Sequence, residues 1–424
     1  MRRIKFFIGS IILLVFSGCS NGQKNVNPLP VINIETNMKN MQEIYLSQFS
    51  DNIKYVPLEA FNDMVFTGIW DCVFSDSFFI AKDLRKCLMY NYKGEFILKI
   101  GNQGRGPGEY QYSMNTVFGL NNKIYIQSLY DLIEYNIDGT YSAKHKNTFG
   151  SDNDYIATWM FIKDSLIFGK VASATGSEKY KALIINLGGQ TKYYFKNFIN
   201  FNRTKPLASD DEQFANIYTF QNNIYFKEAY NDTLFRLTEQ YQLIPVYVIT
   251  LGSFTKPLSV REDISMEAMK KMGDYMSVGN VYQTNKYLFI DCFFSNQFPA
   301  KRLTPRVVYS DITSMYNTKS VLGIYNKSTR DLIFCRPTST DNPLFTSGLF
   351  NDIDAGPRFF PQKMVNDSTM AMWIDAVQLK NHIQSDDFKN LNPKYPEKKK
   401  ALKDLADNLS EYDNAVLIFV TFNK

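Results

Sequence analysis

Histidine is nearly missing from this chain of 424 residues: His145 and His382 are the only two. That scarcity argues against centres built from several imidazoles. Neither residue stands in a nucleophile-elbow context, so a serine triad has no base. Cysteine is sparse as well, at Cys19, Cys72, Cys87, Cys292 and Cys335. None forms a C-x-x-C pair, which excludes zinc ribbons and thioredoxin-type redox motifs. Cys72, Cys292 and Cys335 sit in apolar, strand-like surroundings and Cys87 directly precedes one, the setting of small buried hydrophobes. An oxidising compartment permits one or two disulfides among them, with the pairing left open.

Charge of one sign is also lacking. Lys and Arg number 47 against 42 Asp and Glu, a formal excess of +5. Residues 1–18 hold Arg2, Arg3 and Lys5 and no acid, so without them the excess is 5 − 3 = +2. A near-neutral body of this size offers no global field for nucleic acid. Lys398-Lys399-Lys400 is the one basic run, and it reads as a solvated helix face. The only long apolar run, Phe6 to Phe16, falls short of the ~20 residues of a membrane span. It follows basic Arg2, Arg3 and Lys5 and precedes Ser17-Gly18-Cys19, the pattern of a secretory signal. Ser20 to Pro30 is polar with Pro28 and Pro30, a flexible tether.

What is abundant is aromatic. Phe, Tyr and Trp make up 15% of the chain, which leans toward pleated, half-buried surfaces. Short apolar strands recur along the chain. Examples are Phe78-Phe79-Ile80-Ala81, Lys123-Ile124-Tyr125-Ile126-Gln127, Ser165-Leu166-Ile167-Phe168-Gly169, Asn223-Ile224-Tyr225-Phe226-Lys227, Tyr287-Leu288-Phe289-Ile290 and Met370-Ala371-Met372-Trp373-Ile374. Each is followed by a partner strand, and Gly94, Gly139 and Gly189 mark equivalent turns. Six repeats of about 40–50 residues built from short strands predict a six-bladed β-propeller, an all-β fold, over residues 31–424. Two helical insertions are expected, Val260 to Met276 and Tyr395 to Tyr412. A propeller must hide its last edge, so Asn52 to Leu58, with Pro57 near its end, is predicted to complete the blade that ends at Val416 to Val420.

Residues 1–19 resemble a bacterial lipoprotein signal, with Phe16 where the commonest lipobox has Leu. The resemblance implies a signal peptide over 1–18, diacylation of Cys19, a tether over 19–30 and anchoring at the cell envelope, in the outer membrane. An ordinary signal peptide with an incidental cysteine is the alternative. Ser20 to Asn25 carries no acid, which favours the periplasmic face over the surface by likeness to Bacteroidetes lipoproteins. Ile100-Gly101-Asn102-Gln103-Gly104-Arg105-Gly106-Pro107-Gly108-Glu109-Tyr110 resembles the interblade loop of NHL-type repeats. With Tyr230 to Leu237, Phe350 to Gly356 and Asn414 to Phe419, it makes the chain resemble the six-bladed β-propeller lipoproteins of Bacteroidetes, a family with no general assigned activity.

The glycine loop lacks a following Lys-Ser/Thr and leads into strand rather than helix, so it reads as a tight crossover and not as a phosphate cradle. In that reading Glu109 accepts backbone N–H groups of the loop, and Arg105 pairs with it. Asp352-x-Asp354 invites calcium, but the distal Glu of an EF-hand is missing, so no metal and no cofactor are expected. Asp164-Ser165, Asp232-Thr233 and Asp367-Ser368 resemble Bacteroidetes O-glycosylation sites, or simply make turns. Asp83, Arg105, Glu109, Tyr110 and Arg358 are the loop residues proposed for binding. The function expected is non-catalytic: a binding or scaffold propeller, its partner a glycan, a peptide or an envelope protein, with no nucleic acid. The alternative is a carbohydrate-active hydrolase or lyase using acids that face the channel. Acids clustered with Arg at one mouth favour the enzyme, whereas amides and aromatics favour binding.

Overall fold

The computed structural model describes residues 28–423, apart from 63, 120, 151–154, 164, 204–214, 264, 266, 268–270, 272–273, 295–319 and 338–346. Cys19, the signal region 1–18 and most of the tether lie outside the described residues.

Apolar strands of two to eight residues separated by turn residues assemble into six antiparallel sheets. Blade I comprises Asp71–Phe74, Phe78–Lys82, Cys87–Asn91 and Phe96–Lys99. Blade II comprises Thr116–Phe118, Lys123–Ser128, Asp131–Asn136 and Tyr141–His145. Blade III comprises Ile156–Lys163, Leu166–Val171, Tyr180–Asn186 and Thr191–Lys196. Blade IV comprises Ala215–Phe220, Asn223–Glu228, Thr233–Leu237 and Leu243–Thr250. Blade V comprises Met276–Gln283, Tyr287–Phe294, Ser320–Asn326 and Leu332–Cys335. Blade VI comprises Lys363–Met364, Thr369–Ile374, Val416–Thr421 and, from the other end of the chain, Asn52–Pro57. This is the six-bladed propeller the repeats predict. The first strand of each blade lines the central channel and the fourth lies at the rim.

Middle strands are covered on both faces by neighbouring blades, so they are buried almost continuously, as in Tyr180–Asn186. The core is thus a series of interblade layers, and the four described cysteines, Cys72, Cys87, Cys292 and Cys335, are free and buried in them. The turns between third and fourth strands repeat one device. Gly94, Gly139 and Gly189 donate N–H to Asn91, Asn136 and Asn186 and hold φ of +90°, +81° and +76°. Tyr241 takes the same place in blade IV at φ +57°, which explains why that turn shows no glycine.

Closure is as expected: Asn52–Pro57 runs antiparallel to Val416–Thr421, with Asn52 opposite Thr421 and Pro57 opposite Val416. The chain before it does more than the sequence suggests. Val31–Asn33 adds a parallel fifth strand to the rim of blade IV, and Met41–Gln42 does the same on blade V. The N-terminal segment is therefore a strap over three successive blades.

Among the described residues there are five short α-helices: α1 Ile34–Asn37, α2 Leu258–Glu262, α3 Ala376–Gln384, α4 Asp386–Asn390 and α5 Pro396–Asn408. The expected helix from Tyr395 is α5, started by Pro396 and packed through Leu402 and Ala406. It belongs to a three-helix insertion within blade VI whose first two helices the periodicity did not reveal. The expected helix over Val260 to Met276 needs correction. Helical structure covers Leu258–Glu262 and includes Glu267 and Lys271, whose side chains pair at 2.8 Å, but Met276 opens the first strand of blade V, fully buried. Its spacing from Ile264 reflected strand burial, not a helix face. Ile264, Ala268 and Met272 lie outside the described residues.

Candidate functional site at the channel mouth

Strands alternate in direction, so connections between second and third strands share one face with those between blades. That face carries the glycine loop, helices α3 to α5 and the ends of the second strands. In every blade the fifth residue of the second strand bears a polar group after four mostly apolar ones: Lys82, Gln127, Lys170, Lys227, Asp291 and Trp373. Opposite them, at the start of the first strands, stand Asp71, Thr158 and Asn216 in register, with Asn115 accepting from the Gln127 N–H.

Lys82, Gln127, Lys170 and Trp373 fasten their blades to the next, whereas Lys227 donates to the Glu228 carbonyl of its own blade. The Lys82 ammonium, almost fully buried, donates to the Ser113 and Met114 carbonyls at 2.8 and 3.0 Å, joining blades I and II. Gln127 donates to the Ile156 carbonyl at 3.0 Å and accepts from the Trp159 indole at 2.7 Å, joining II and III. Lys170 reaches Glu228 of blade IV at 3.2 Å, and Lys181 holds the other carboxylate oxygen at 2.7 Å. The Val281 N–H donates to Asn216 Oδ1 between IV and V, and the Tyr282 hydroxyl donates to the Gln362 carbonyl between V and VI. Lys363 meets Asp71 at 2.9 Å and the Trp373 indole donates to the Ile69 carbonyl, closing VI onto I.

Burial shifts the charges in this ring. It pushes the Lys82 ammonium down, against the pull of Asp71. It brings Lys227 to about 8. It pushes Glu228 up, but Lys170 and Lys181 outweigh it and hold the carboxylate at about 2. Asp291 is different. Burial raises it to about 7, a bond from Ser320 only partly offsets this, and its Oδ1 is buried with no hydrogen-bond partner.

Among the described residues, what faces the mouth after these bonds is, apart from Asp291, largely amide, hydroxyl and aromatic. Asn115, Thr158, Asn280 and Gln362 are half-buried, Asp71 is neutralised by Lys363, and Trp70 and Tyr112 on the adjoining connections are 62% and 45% exposed. Among the described residues no group of three His, Cys, Asp or Glu could hold a metal. His145 bonds Glu134 on the rim of blade II, and His382 on α3 meets the Ala355 carbonyl, with burial lowering its proton affinity. A second concave feature lies on the opposite face, between blades IV and V. It is a cleft of about 490 Å³ lined by Phe220, Tyr225, Tyr247, Gln283, Asn285 and Lys327.

The residues singled out from sequence fall into three places. Asp83 is buried and accepts the Arg85 and Lys86 N–H groups at 2.6 and 2.7 Å, capping the turn beyond Lys82. Tyr110 is buried beside it, its hydroxyl donating to the Arg85 carbonyl at 3.3 Å, and burial raises its pKa. Glu109 accepts the Gly106 N–H at 2.7 Å within the glycine loop, while Arg105 is exposed and makes no ion pair with Glu109. Any Cβ at Gly104 would meet that carboxylate at 2.0 Å, which accounts for the glycine. Arg358 stands apart, gripping Glu43 of the N-terminal strap with two bonds, 2.5 and 3.1 Å. The nearby Asp354 is likewise turned inward, accepting from Tyr55, Asn351 and Gly356. The ring residues escaped that reading. Their signal was available in the repeated polar end of each second strand, visible in Phe226-Lys227 and Ile126-Gln127.

Residues 29–421 match the family model described as a domain of unknown function, DUF4934. The chain belongs to this family. Among solved structures, a putative exported protein of Bacteroides fragilis is 15% identical, with 94% of this chain and 100% of that one aligned and a TM-score of 0.68. A member of the duf4221 family from Bacteroides vulgatus is 10% identical over 91% of this chain and 99% of that one, with a TM-score of 0.50. At such identities the likeness speaks for the fold. No curated protein matches the chain. No helix among the described residues is long and apolar enough to cross a membrane.

Proposed function

We propose that this DUF4934 propeller is a lipid-anchored protein of the cell envelope that binds a neutral polar ligand, a glycan or a peptide, at the channel mouth without transforming it. The observation that carries this reading is the composition of the mouth. Among the described residues, amides, a hydroxyl and two exposed aromatic rings surround Asp71, a carboxylate that Lys363 already neutralises. Aromatic faces and amide groups suit sugar rings and extended peptides, and a preformed ring loses little order on binding. The lipobox-like Ser17-Gly18-Cys19 and the exported B. fragilis neighbour support the address. The absence of acid in Ser20 to Asn25 supports the periplasmic face of the outer membrane.

The test is a glycan array and a peptide array probed with the chain lacking residues 1–19. Binding that Trp70→Ala and Tyr112→Ala weaken by ~10-fold or more supports the reading. Binding unaffected by both, but lost in Tyr225→Ala or Tyr247→Ala, would move the site to the cleft between blades IV and V. Loss of fatty-acid labelling in Cys19→Ser checks the anchor, and resistance to protease added to whole cells checks the face.

Asp291 favours a second reading. A half-protonated, partly unsatisfied acid beside the channel is what a hydrolase or lyase needs as proton donor. Release of reducing ends or unsaturated sugars from polysaccharides, abolished by Asp291→Asn, would establish it.

A further inference from the structure

The rims of the six blades are not equally finished. Blades IV and V each receive a parallel fifth strand from the N-terminal strap, and the rim of blade VI is Asn52–Pro57 itself, with Pro57 near its end. Blade I ends in four residues, where Phe61 stacks on Phe96 at 5.2 Å and Glu59 accepts the Phe96 N–H. Blade II ends in five, with Lys144 and His145 tied to Asp131 and Glu134. Blade III ends in the six-residue strand Thr191–Lys196, and among the described residues nothing pairs with its outer edge.

That strand is unusual in its side chains as well. Tyr193 and Tyr194 are 43% and 57% exposed, and Phe198 just beyond is 79% exposed. The two tyrosines are braced from behind, Tyr193 on Tyr241 and Tyr194 on Tyr180, each at 4.6 Å. They form a rigid aromatic border on both faces of an open edge. Residues 186–198 hold Lys192 and Lys196 and no acid, and the exposed Lys179 lies across from them over the Tyr180 ring at 5.2 Å. Native edges are normally blunted, lysines being one device against self-pairing; an edge of six residues that also exposes aromatic rings is a template for a strand of complementary charge.

We propose that the rim of blade III is a docking edge for an extended acidic segment of a partner protein, which adds as a fifth strand. Two features select this occupant. Rims IV and V already accept a parallel strand in this same chain, so the geometry of addition is built into the fold. The lysines exclude a second copy of the edge, which would set like charges together, and call for Asp or Glu at alternate positions of the incoming strand. The proposal is independent of any ligand at the channel mouth.

The probe is a fluorescent peptide of about eight residues that alternates glutamate with valine, titrated against the chain lacking residues 1–19. Controls are a peptide of the same composition with two central prolines and one with lysine in place of glutamate. The expected result is binding of the acidic peptide alone, weakening with salt. Amide exchange should slow over 191–196. The double variant Lys192→Glu/Lys196→Glu should lower affinity by ~10-fold or more, and Lys192→Arg/Lys196→Arg should retain it. Both positions changed are exposed charges of the strand, and an unaltered melting curve confirms folding. Equal binding of the proline peptide, protection elsewhere on the molecule, or no binding at ~1 mM overturns the proposal.

Discussion

Asp291→Asn should stabilise this protein at neutral and alkaline pH and leave it nearly unchanged below pH 4. In the unfolded chain an aspartate titrates near ~3.9. In the fold burial raises Asp291 to about 7, so the folded state holds the proton that the unfolded state releases between these values. Where the unfolded state binds fewer protons, stability falls as pH rises. The loss therefore begins near pH 4, grows to about pH 7 and is constant above. At ~1.4 kcal/mol for each tenfold change, the full window amounts to about 4 kcal/mol. The residue is partly exposed as a whole although its Oδ1 is buried, so water screens some of this and the figure is an upper bound. Glu228, held at about 2 by Lys170 and Lys181, acts in the opposite sense but only below pH ~4.5, outside the window. Lys227, lowered to about 8 by burial, contributes above it. The assay is urea denaturation of the wild type and the variant at half-unit steps from pH 4 to pH 8. The difference between the curves should open across the window by ~1–4 kcal/mol in favour of the asparagine. Curves that stay parallel would refute the reasoning, and an asparagine variant less stable throughout would show the carboxylate to be a required partner.

Other consequences follow from single contacts. Gly94 holds φ +90° with the Pro57 carbonyl 1.9 Å from where a Cβ would stand, so Gly94→Ala should destabilise by ~2–4 kcal/mol and loosen the closing strand, seen as faster amide exchange over 52–57. Arg358→Ala removes the two bonds to Glu43, and a loss of ~1.5 kcal/mol in the strap should raise the rate of proteolysis between residues 34 and 46 about tenfold. The four described cysteines are buried and burial raises all four thiols, so maleimide should modify Cys72, Cys87, Cys292 and Cys335 only on unfolding. Lys82→Met, which leaves the Ser113 and Met114 carbonyls without their donor, should cost about 2–3 kcal/mol by chemical denaturation.

The period of the second strands and the turn glycines made the propeller legible, because one structural unit repeats six times and cannot bury its faces alone. Closure was legible for the same reason: Pro57 marks a strand that needs one free side. The strap was not, since Val31–Asn33 and Met41–Gln42 are too short to show a period and gain their pairing from distant rims. The helical stretch expected over Val260 to Met276 was overread at its C-terminal end, because Met276 satisfies helical spacing while it is buried at the start of a strand. At the site, Asp83 caps a turn, whereas Glu109 and Tyr110, expected in a loop, form a two-residue strand paired with Asn102–Gln103, and the backbone absorbs the hydrogen bonds of all three. Isolated polar residues in loops satisfy local turns first. The ring from Lys82 to Trp373 was spelled out in the repeats, yet each member looked like the polar end of an ordinary strand.

That ring differs at every junction, and the difference has a structural use. Six blades with interchangeable apolar faces could slip past a neighbour or pair with the wrong one, since aromatic layers alone distinguish blades poorly. A buried ammonium tolerates only a neighbour that offers carbonyls or a carboxylate. Lys170 finds Glu228 in blade IV, whereas Lys82 finds the Ser113 and Met114 carbonyls in blade II. Exchanging these neighbours would leave a buried charge without a partner, a penalty of several kcal/mol. The clasps thus select the order of blades more than they add net stability. Asp291 is the exception, an acid with one oxygen unsatisfied where five other blades place a bonded group. If it served only to order the blades, Asp291→Asn would bind every ligand of the wild type unchanged. An altered ligand affinity in a variant that folds normally would place that carboxyl among the groups a ligand meets.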